Sequence, residues 1–237
     1  MNSKSQALIT GANKGLGFAI AEALSHTGWS TINLGRKTSL SCNKDIIVDL
    51  SEVDLIGQRI HKTLKGNYKD LDLLVLNAAT LGEVMSVSDI SQESIIRDMR
   101  VNVLSNKTII DHIIKHKNNT KLNVIAISSS ASQKAISGWK SYCITKASLN
   151  MLVACYANEY PQHHFISLCP GLIKTDMQRK IKRLDTKTFP DLVNLQDSYK
   201  KMPSPKQVGS LITQCLERFQ DINSGEFIKL MDILSYR

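Results

Sequence analysis

A phenol and an ammonium four residues apart, downstream of a cluster of hydroxyls, can move protons. Such a set occurs in LNVIAISSSASQKAISGWKSYCITK, residues 122–146. Tyr142 and Lys146 are four apart, and on a helix such positions lie one above the other on the same face. Val124-Ile125-Ala126-Ile127 is an apolar, β-branched run that stops at Ser128, Ser129 and Ser130; Tyr142 follows the second serine by thirteen residues. A serine at the end of that strand can face the tyrosine and lysine, giving a hydroxyl, a phenol and a cation at one strand edge, a proton-transfer site. Tyr-x-x-x-Lys is common by chance, so the weight rests on what positions it.

The elements before it alternate strand and helix. Gln6–Thr10 reads as a buried strand that runs into Thr10-Gly11-Ala12-Asn13-Lys14-Gly15-Leu16-Gly17 and then into the helical pattern FAIAEALSHTG. Strand, glycine turn and helix is the context in which backbone N–H groups and the helix dipole receive a phosphate. Gly11 permits the tight turn, and Gly15 and Gly17 allow close approach to a pyrophosphate. The second strand, Ser30–Gly35, ends in Arg36-Lys37, where NAD-binding sites of this kind carry an acid for the ribose 2′-hydroxyl. Arg36 and Lys37, with Lys14, suit a 2′-phosphate instead, so NADP(H) is expected rather than NAD(H). A third strand, Asp45–Asp49, puts Asp49 where it can meet the adenine, and Ser51 reads as the N-cap of a helix over Ser51–Leu64. The apolar strand Leu71–Leu76 ends in Asn77-Ala78-Ala79-Thr80, small residues that admit a ribose.

A long helix is expected over Ile90–Lys117, with Asn102 in its interior in need of a polar partner or a role. His112 and His116 have the spacing of a metal pair, but no third ligand is evident; a solvated helix end is expected, and no metal. After the opening stretch, a helix is expected from about Trp139 to Glu159. His163 and His164 fall in a turn, and Phe165–Cys169 is a strand ending in Pro170-Gly171. The polar stretch Met177–Met202 reads as a flap; its Arg179, Lys180, Lys182, Arg183 and Lys187 suit an anionic substrate or simply a solvated surface. Ser204-Pro205-Lys206-Gln207 is a capping-box helix start, with the helix running to about Phe219, and Glu226–Met231 is a last strand. Alternation of this kind specifies an α/β fold, a single-domain doubly wound parallel β-sheet flanked by helices over 1–237, with its ligand edge at the strand carboxyl ends.

Composition narrows the class. The 237 residues are 42% hydrophobic, enough for a packed core, with no run of about 20 apolar residues to span a bilayer. MNSKSQALIT does not read as a signal peptide. The five cysteines, an odd number without Cys-x-x-Cys spacing, fit a reducing compartment; a cytoplasmic protein without membrane attachment is expected. The net charge of +9 is scattered and aromatics are only 5%, which argues against nucleic acid and suits a phosphorylated cofactor or anionic substrate.

Together these motifs resemble the short-chain dehydrogenase/reductase family over nearly the whole chain, which implies a Rossmann-like fold. TGANKGLG resembles the family's cofactor turn, which extends the implied contacts to Asn13 and Leu16. Asp49, with Leu50 beside it, resembles the adenine-contacting element. Asn77-Ala78-Ala79-Thr80 resembles Asn-Asn-Ala-Gly, with Ala78 and Thr80 as departures. The resemblance implies Asn102 as holder of a relay water, Ser129, Tyr142 and Lys146 as the active-site trio, and Pro170, Gly171, Ile173 and Thr175 as the nicotinamide side. Tyr142 is then the general acid or base, its pKa lowered from about 10 by Lys146, and Ser129 donates to the substrate oxygen. The ending MDILSYR departs from the Asp-Gly-Gly usual in the family. A carbonyl reductase acting on a small carbonyl or alcohol substrate is the leading expectation, as a homodimer or homotetramer. The alternatives are an alcohol or sugar dehydrogenase working oxidatively, and a non-enzymatic cofactor sensor.

Overall fold

Two-residue alternation along each strand explains why the strands are apolar on both faces. In the computed structural model, which describes residues 5–117, 120–184 and 186–235, Leu8, Leu74, Leu76, Val124 and Phe165 face one layer of helices. Ala7, Ile9, Leu73, Val75, Ile125 and Ile166 face the other. Residues 1–4 of MNSKSQALIT and Tyr236-Arg237 of the MDILSYR ending lie outside the described residues.

The strands are β1 (Gln6–Thr10), β2 (Ser30–Gly35), β3 (Lys44–Ile47), β4 (Leu71–Leu76), β5 (Asn123–Ile127), β6 (His164–Cys169) and β7 (Phe227–Lys229). They form one parallel sheet in the order β3-β2-β1-β4-β5-β6-β7. Helices α1 (Gly15–His26) and, later in the chain, Pro205–Gln214 cover one face. Helices α2 (Val53–Leu64), α3 (Gln92–Met99), α4 (Ser105–His116) and α5 (Lys140–Glu159) complete the elements before β6; α2, α4 and α5 cover the other face. The order reverses direction between β1 and β4, which opens a crevice at their carboxyl ends.

Several local expectations change, among them the turn at His163 and His164: His164 opens β6, paired with Asn123. The helix over Ile90–Lys117 is two helices joined by a π turn at Arg100–Leu104. The side chain of Asn106 donates to the Asn102 carbonyl (2.8 Å) and Ser105 donates to that of Val101 (2.7 Å), taking up carbonyls at the widened turn. Ser51 is not the cap of α2: its N–H and hydroxyl both donate to the Asp49 carboxylate, and Glu52 occupies the cap position. The 177–202 stretch is not irregular, since it carries α6 (Asp176–Ile181) and α7 (Leu192–Ser198), followed by a short 3-10 turn at Tyr199–Lys201. Residues 230 and 231 of the last expected strand instead open α9 (Leu230–Ser235), because Leu230 and Ile233 turn into the core beside Ile228. The Ser204 capping box forms as expected, and α8 (Pro205–Gln214) ends before Phe219, which lies in a 3-10 turn.

Candidate active site

β5 ends in the three serines, and they diverge as strand geometry requires. Ser128 is buried and donates to Asn150 (2.6 Å), while Ser130 is exposed and opens a 3-10 turn. Ser129 accepts from the Ala131 N–H (3.2 Å), and its hydroxyl also interacts with the phenol of Tyr142. Tyr142 stands in the first turn of α5, 8% exposed, edge-on to the Trp139 ring with centroids 5.8 Å apart. Lys146 is one turn on and 2% exposed; its Nζ donates to the Ile127 carbonyl (2.6 Å) and lies 5.7 Å from the Tyr142 ring centroid. The expected spacing therefore brings strand end, phenol and cation together.

The electrostatics run differently from the expectation that Lys146 draws the phenol down. Burial pushes Tyr142 up to about 12, with Ser129 acting in the opposite direction. Burial also pushes Lys146 down to about 8. Desolvation disfavours each charged form and dominates both groups in the protein alone.

Asn102 finds its polar partners close by. Its Oδ1 accepts from the Thr80 N–H (2.8 Å), and its Nδ2 donates to the Thr80 carbonyl (2.9 Å) and the Thr145 hydroxyl (3.0 Å). The amide thus ties the β4 loop to the turn of α5 between Tyr142 and Lys146, and its side chain has no donor left for a water.

On the neighbouring edge, the glycine turn is held by polar groups. The Thr10 hydroxyl accepts from the N–H groups of Asn77 (2.8 Å) and Ala78 (2.9 Å), and Asn77 Nδ2 donates to the Thr10 carbonyl (2.9 Å). Gly11 and Gly15 have φ of 68° and 62°, the left-handed region that favours glycine. A Cβ on Gly17 would stand 2.5 Å from Asn77 Nδ2 and 2.6 Å from the Gly11 carbonyl oxygen, so only glycine fits there. Arg36 and Asp49 lie together at the ends of β2 and β3, 3.9 Å apart and partly exposed. The Asp49 carboxyl is held below its ordinary range, chiefly by the Ser51 N–H. Lys14 does not stand with Arg36 and Lys37 here: it pairs with Asp176 (2.8 Å), which Arg179 also engages. Across the crevice, Gly171 (φ 82°) turns the chain after β6, Ile173 is buried and its carbonyl accepts from the Thr175 N–H (2.7 Å), and Thr175 Cγ2 faces Gly15. Asn13, Leu16, Leu50 and Pro170 border the same carboxyl edge in sequence, at the ends of β1, β3 and β6.

Residues 5–185 match the family model described as short chain dehydrogenase. The chain belongs to the short-chain dehydrogenase family. Among its relatives is a benzil reductase ((S)-benzoin forming) of Bacillus cereus, 28% identical over 94% of this chain and 98% of the relative. An uncharacterized oxidoreductase of Schizosaccharomyces pombe is 30% identical over 74% of this chain and 73% of its own length. A short-chain dehydrogenase/reductase structure from Saccharomyces cerevisiae superposes with a TM-score of 0.85 at 22% identity, over 95% of this chain and 96% of that one.

Members of the short-chain dehydrogenase family bind a nicotinamide dinucleotide and act on small molecules, and this chain's crevice fits the dinucleotide. No side chain caps the first N–H groups of α1, which leaves them for an anion. A Cβ on Gly15 would meet nothing nearer than Thr175 Cγ2 at 3.9 Å, so there is room above the turn. No helix among the described residues is long and apolar enough to cross a membrane.

The flap supplies what sequence reasoning missed. Ile181 and Leu192 are buried with Leu81, Ala131, Trp139 and Tyr142, and Phe189 packs beside them. Asp191 accepts from the Ser137 N–H (2.9 Å) and hydroxyl (2.7 Å), which ties the flap to the loop before α5. Arg179 is taken by Asp176, and Lys182 lies over the Tyr199 ring, 5.0 Å from its centroid. These two charges therefore serve the flap's own structure, and the wall beside Tyr142 is apolar and aromatic. Asn33 was also missed: its Oδ1 accepts from the Ala12 N–H (2.9 Å), and its Nδ2 donates to the Lys37 carbonyl (2.8 Å) and Asp45 (2.7 Å), fixing the basic loop to the glycine turn. The signal was available, since an Asn in the middle of an apolar strand must be satisfied.

Proposed function

We propose that the protein is an NADP(H)-dependent carbonyl reductase, with Tyr142 as the proton donor, Ser129 as the hydrogen-bond donor to the substrate oxygen and Lys146 as the cation beside the phenol. The observation that carries this reading is the meeting of three groups at the end of β5: the Ser129 hydroxyl against the Tyr142 phenol, and Lys146 Nζ 5.7 Å from the Tyr142 ring centroid, with phenol and cation both buried. A bound nicotinamide supplies the hydride. Ser129 orients the carbonyl oxygen toward Tyr142, and the proton passes from the phenol to that oxygen as its charge develops. Lys146, through a charge that desolvation makes easy to feel, stabilises the phenolate left behind.

Asn102 is a positioning residue in this scheme. It holds Thr80 and Thr145, and a relay water would use the second lone pair of its backbone carbonyl, the first being taken by Asn106. Gly11, Asn13, Lys14, Gly15, Leu16 and Gly17 line the pyrophosphate side. Asp49, Leu50, Asn77 and Ala78 line the adenosine side, and Pro170, Gly171, Ile173 and Thr175 the carboxamide side. Arg36, with Lys37, receives the 2′-phosphate. The 177–203 flap walls the substrate. Its apolar and aromatic lining, with the benzil reductase of Bacillus cereus among the relatives, points to an uncharged aromatic carbonyl compound, of which benzil is the first probe. The exposed Ile144 and Met151 on α5 suit assembly as a homodimer or homotetramer in the cytoplasm.

The test is NADPH oxidation with benzil and a panel of carbonyls. Tyr142→Phe should lower kcat by about 10²–10⁴-fold while NADPH binding, followed by nucleotide fluorescence, stays within twofold. Full activity in that variant, or NADPH binding without turnover on any carbonyl, sinks the assignment. Arg36→Ala removes a charge-assisted contact and should raise KM for NADPH by about 10–100-fold, leaving KM for NADH unchanged; equal changes for both cofactors would remove the 2′-phosphate argument.

A further inference from the structure

Away from the crevice, the C-terminal halves of α2 and α4 bring three imidazoles together. His61 comes from α2, and His112 and His116 from α4, with one donor nitrogen of each within 4.8 Å of the others. The ring centroids are 4.5 Å apart for His112 and His116, 5.7 Å for His61 and His116, and 6.3 Å for His61 and His112. The third ligand that the sequence did not offer thus arrives from a different helix. His112 and His116 are half-buried rather than on a solvated end, and His61 is exposed, so an ion has a path in.

The chemistry of the donors is already arranged. His116 Nδ1 lies 2.7 Å from the His112 backbone carbonyl. A carbonyl can only accept, so Nδ1 carries the proton and Nε2 keeps its lone pair, the outer contact that commonly orients a metal-binding histidine. The Tyr68 hydroxyl lies 2.8 Å from His112 Nε2 and 3.3 Å from His61 Nδ1, a fourth oxygen among the three nitrogens. Donors no more than 4.8 Å apart surround a centre at most about 2.8 Å from each; a metal–nitrogen bond of about 2.1 Å asks each ring to move inward by about 0.7 Å at most. Small side-chain rotations, the largest at the exposed His61, cover that distance.

We propose that His61, His112 and His116 form a binding site for a divalent transition-metal ion of the zinc class, which cross-links α2 to α4. Three neutral imidazoles favour such an ion over magnesium or calcium, which prefer oxygen ligands. The site is structural. It lies at the edge of the sheet where β4 begins, since Tyr68 precedes β4 and Lys117, just after His116, donates to the Leu71 carbonyl. Tyr142 and Lys146 stand at the opposite, carboxyl edge.

The experiment uses chelator-treated full-length protein, titrated with zinc by calorimetry and with cobalt(II) by visible absorption, with thermal unfolding in parallel. The expected result is one ion per chain, cobalt d–d bands of a four-coordinate site without thiolate charge transfer, and a Tm rise of about 5–10 °C at a hundredfold excess over Kd. His61→Gln, at an exposed position that folding does not need, and His116→Gln should each weaken binding by at least about tenfold. Thiolate bands, wild-type affinity in His61→Gln, or no zinc binding by the wild-type protein would each overturn the site.

Discussion

The loops around the glycine turn and the loops around Tyr142 are held by different forces. Around the turn, Thr10, Asn33 and Asn77 tie backbone to backbone through buried polar side chains. Around Tyr142, Trp139, Ile181, Leu192 and Phe189 pack as an apolar wedge, with Asp191 adding two exposed hydrogen bonds to Ser137. Hydrogen bonds are directional and lose most of their value within a few tenths of an ångström, whereas apolar burial depends on area and tolerates sliding. The polar side fixes a cofactor whose shape never varies. In the proposed function the apolar side is the one that meets the substrate, and its packing leaves it free to yield.

The strongest way to break that contrast is Asn33→Ala. It leaves the Ala12 N–H unpaired and takes one partner from Asp45 and from the Lys37 carbonyl in a buried setting, a loss of about 3 kcal/mol. Thermal unfolding should shift down by about 6–12 °C, and KM for NADPH should rise more than KM for the carbonyl. A variant that unfolds normally and changes only the carbonyl KM would show that the two sides are not held as described.

How much of this was readable in sequence follows the same division. The glycine turn, the strand ends and the Tyr142–Lys146 pair announce themselves through local spacing, since a strand alternates by two and a helix repeats every 3.6 residues. The side chain that anchors the basic loop, Asn33, was visible only as an unexplained polar residue within an apolar strand. The π turn at Arg100–Leu104 was legible only in part: Ser105 and Asn106 take up carbonyls locally, but Asn102 reaches Thr80 and Thr145 elsewhere in the chain. The flap helices were hidden by short length and polar composition; Ile181 and Leu192 become core only once Trp139 is beside them. Lys14 was read through its neighbours in the turn, while its partner, Asp176, comes from after β6.

A smaller effect tests the electrostatics shared by both sides. Lys146 has its pKa lowered by burial to about 8, so it is charged below that pH and neutral above it, while Tyr142, raised to about 12, stays protonated through the same window. The reductive kcat/KM, which reports the free enzyme, should therefore be level up to about pH 8 and fall above it, approaching tenfold per pH unit. Lys146→Arg, which keeps its charge at all accessible pH values, should remove the decline even if it lowers the plateau. A decline that persists unchanged in that variant would assign the titration to another group.

The smallest effect is expected at Trp139, and it separates packing from polar anchoring. The indole is 4% exposed, and its Nε1 has no hydrogen-bond partner among the described residues. Trp139→Phe gives up apolar area but also removes a buried unpaired donor, and the two contributions oppose each other at about 1–3 kcal/mol each. Stability should stay within about 1 kcal/mol of the parent. The ring edge facing Tyr142 is retained, so kcat for a small carbonyl should hold. KM for benzil should move severalfold, because the wall of the pocket has changed shape, and KM for NADPH should not. A large loss of stability would mean that the indole N–H is anchored after all; a shift in the NADPH KM would mean that the apolar wedge and the polar turn are one mechanical unit.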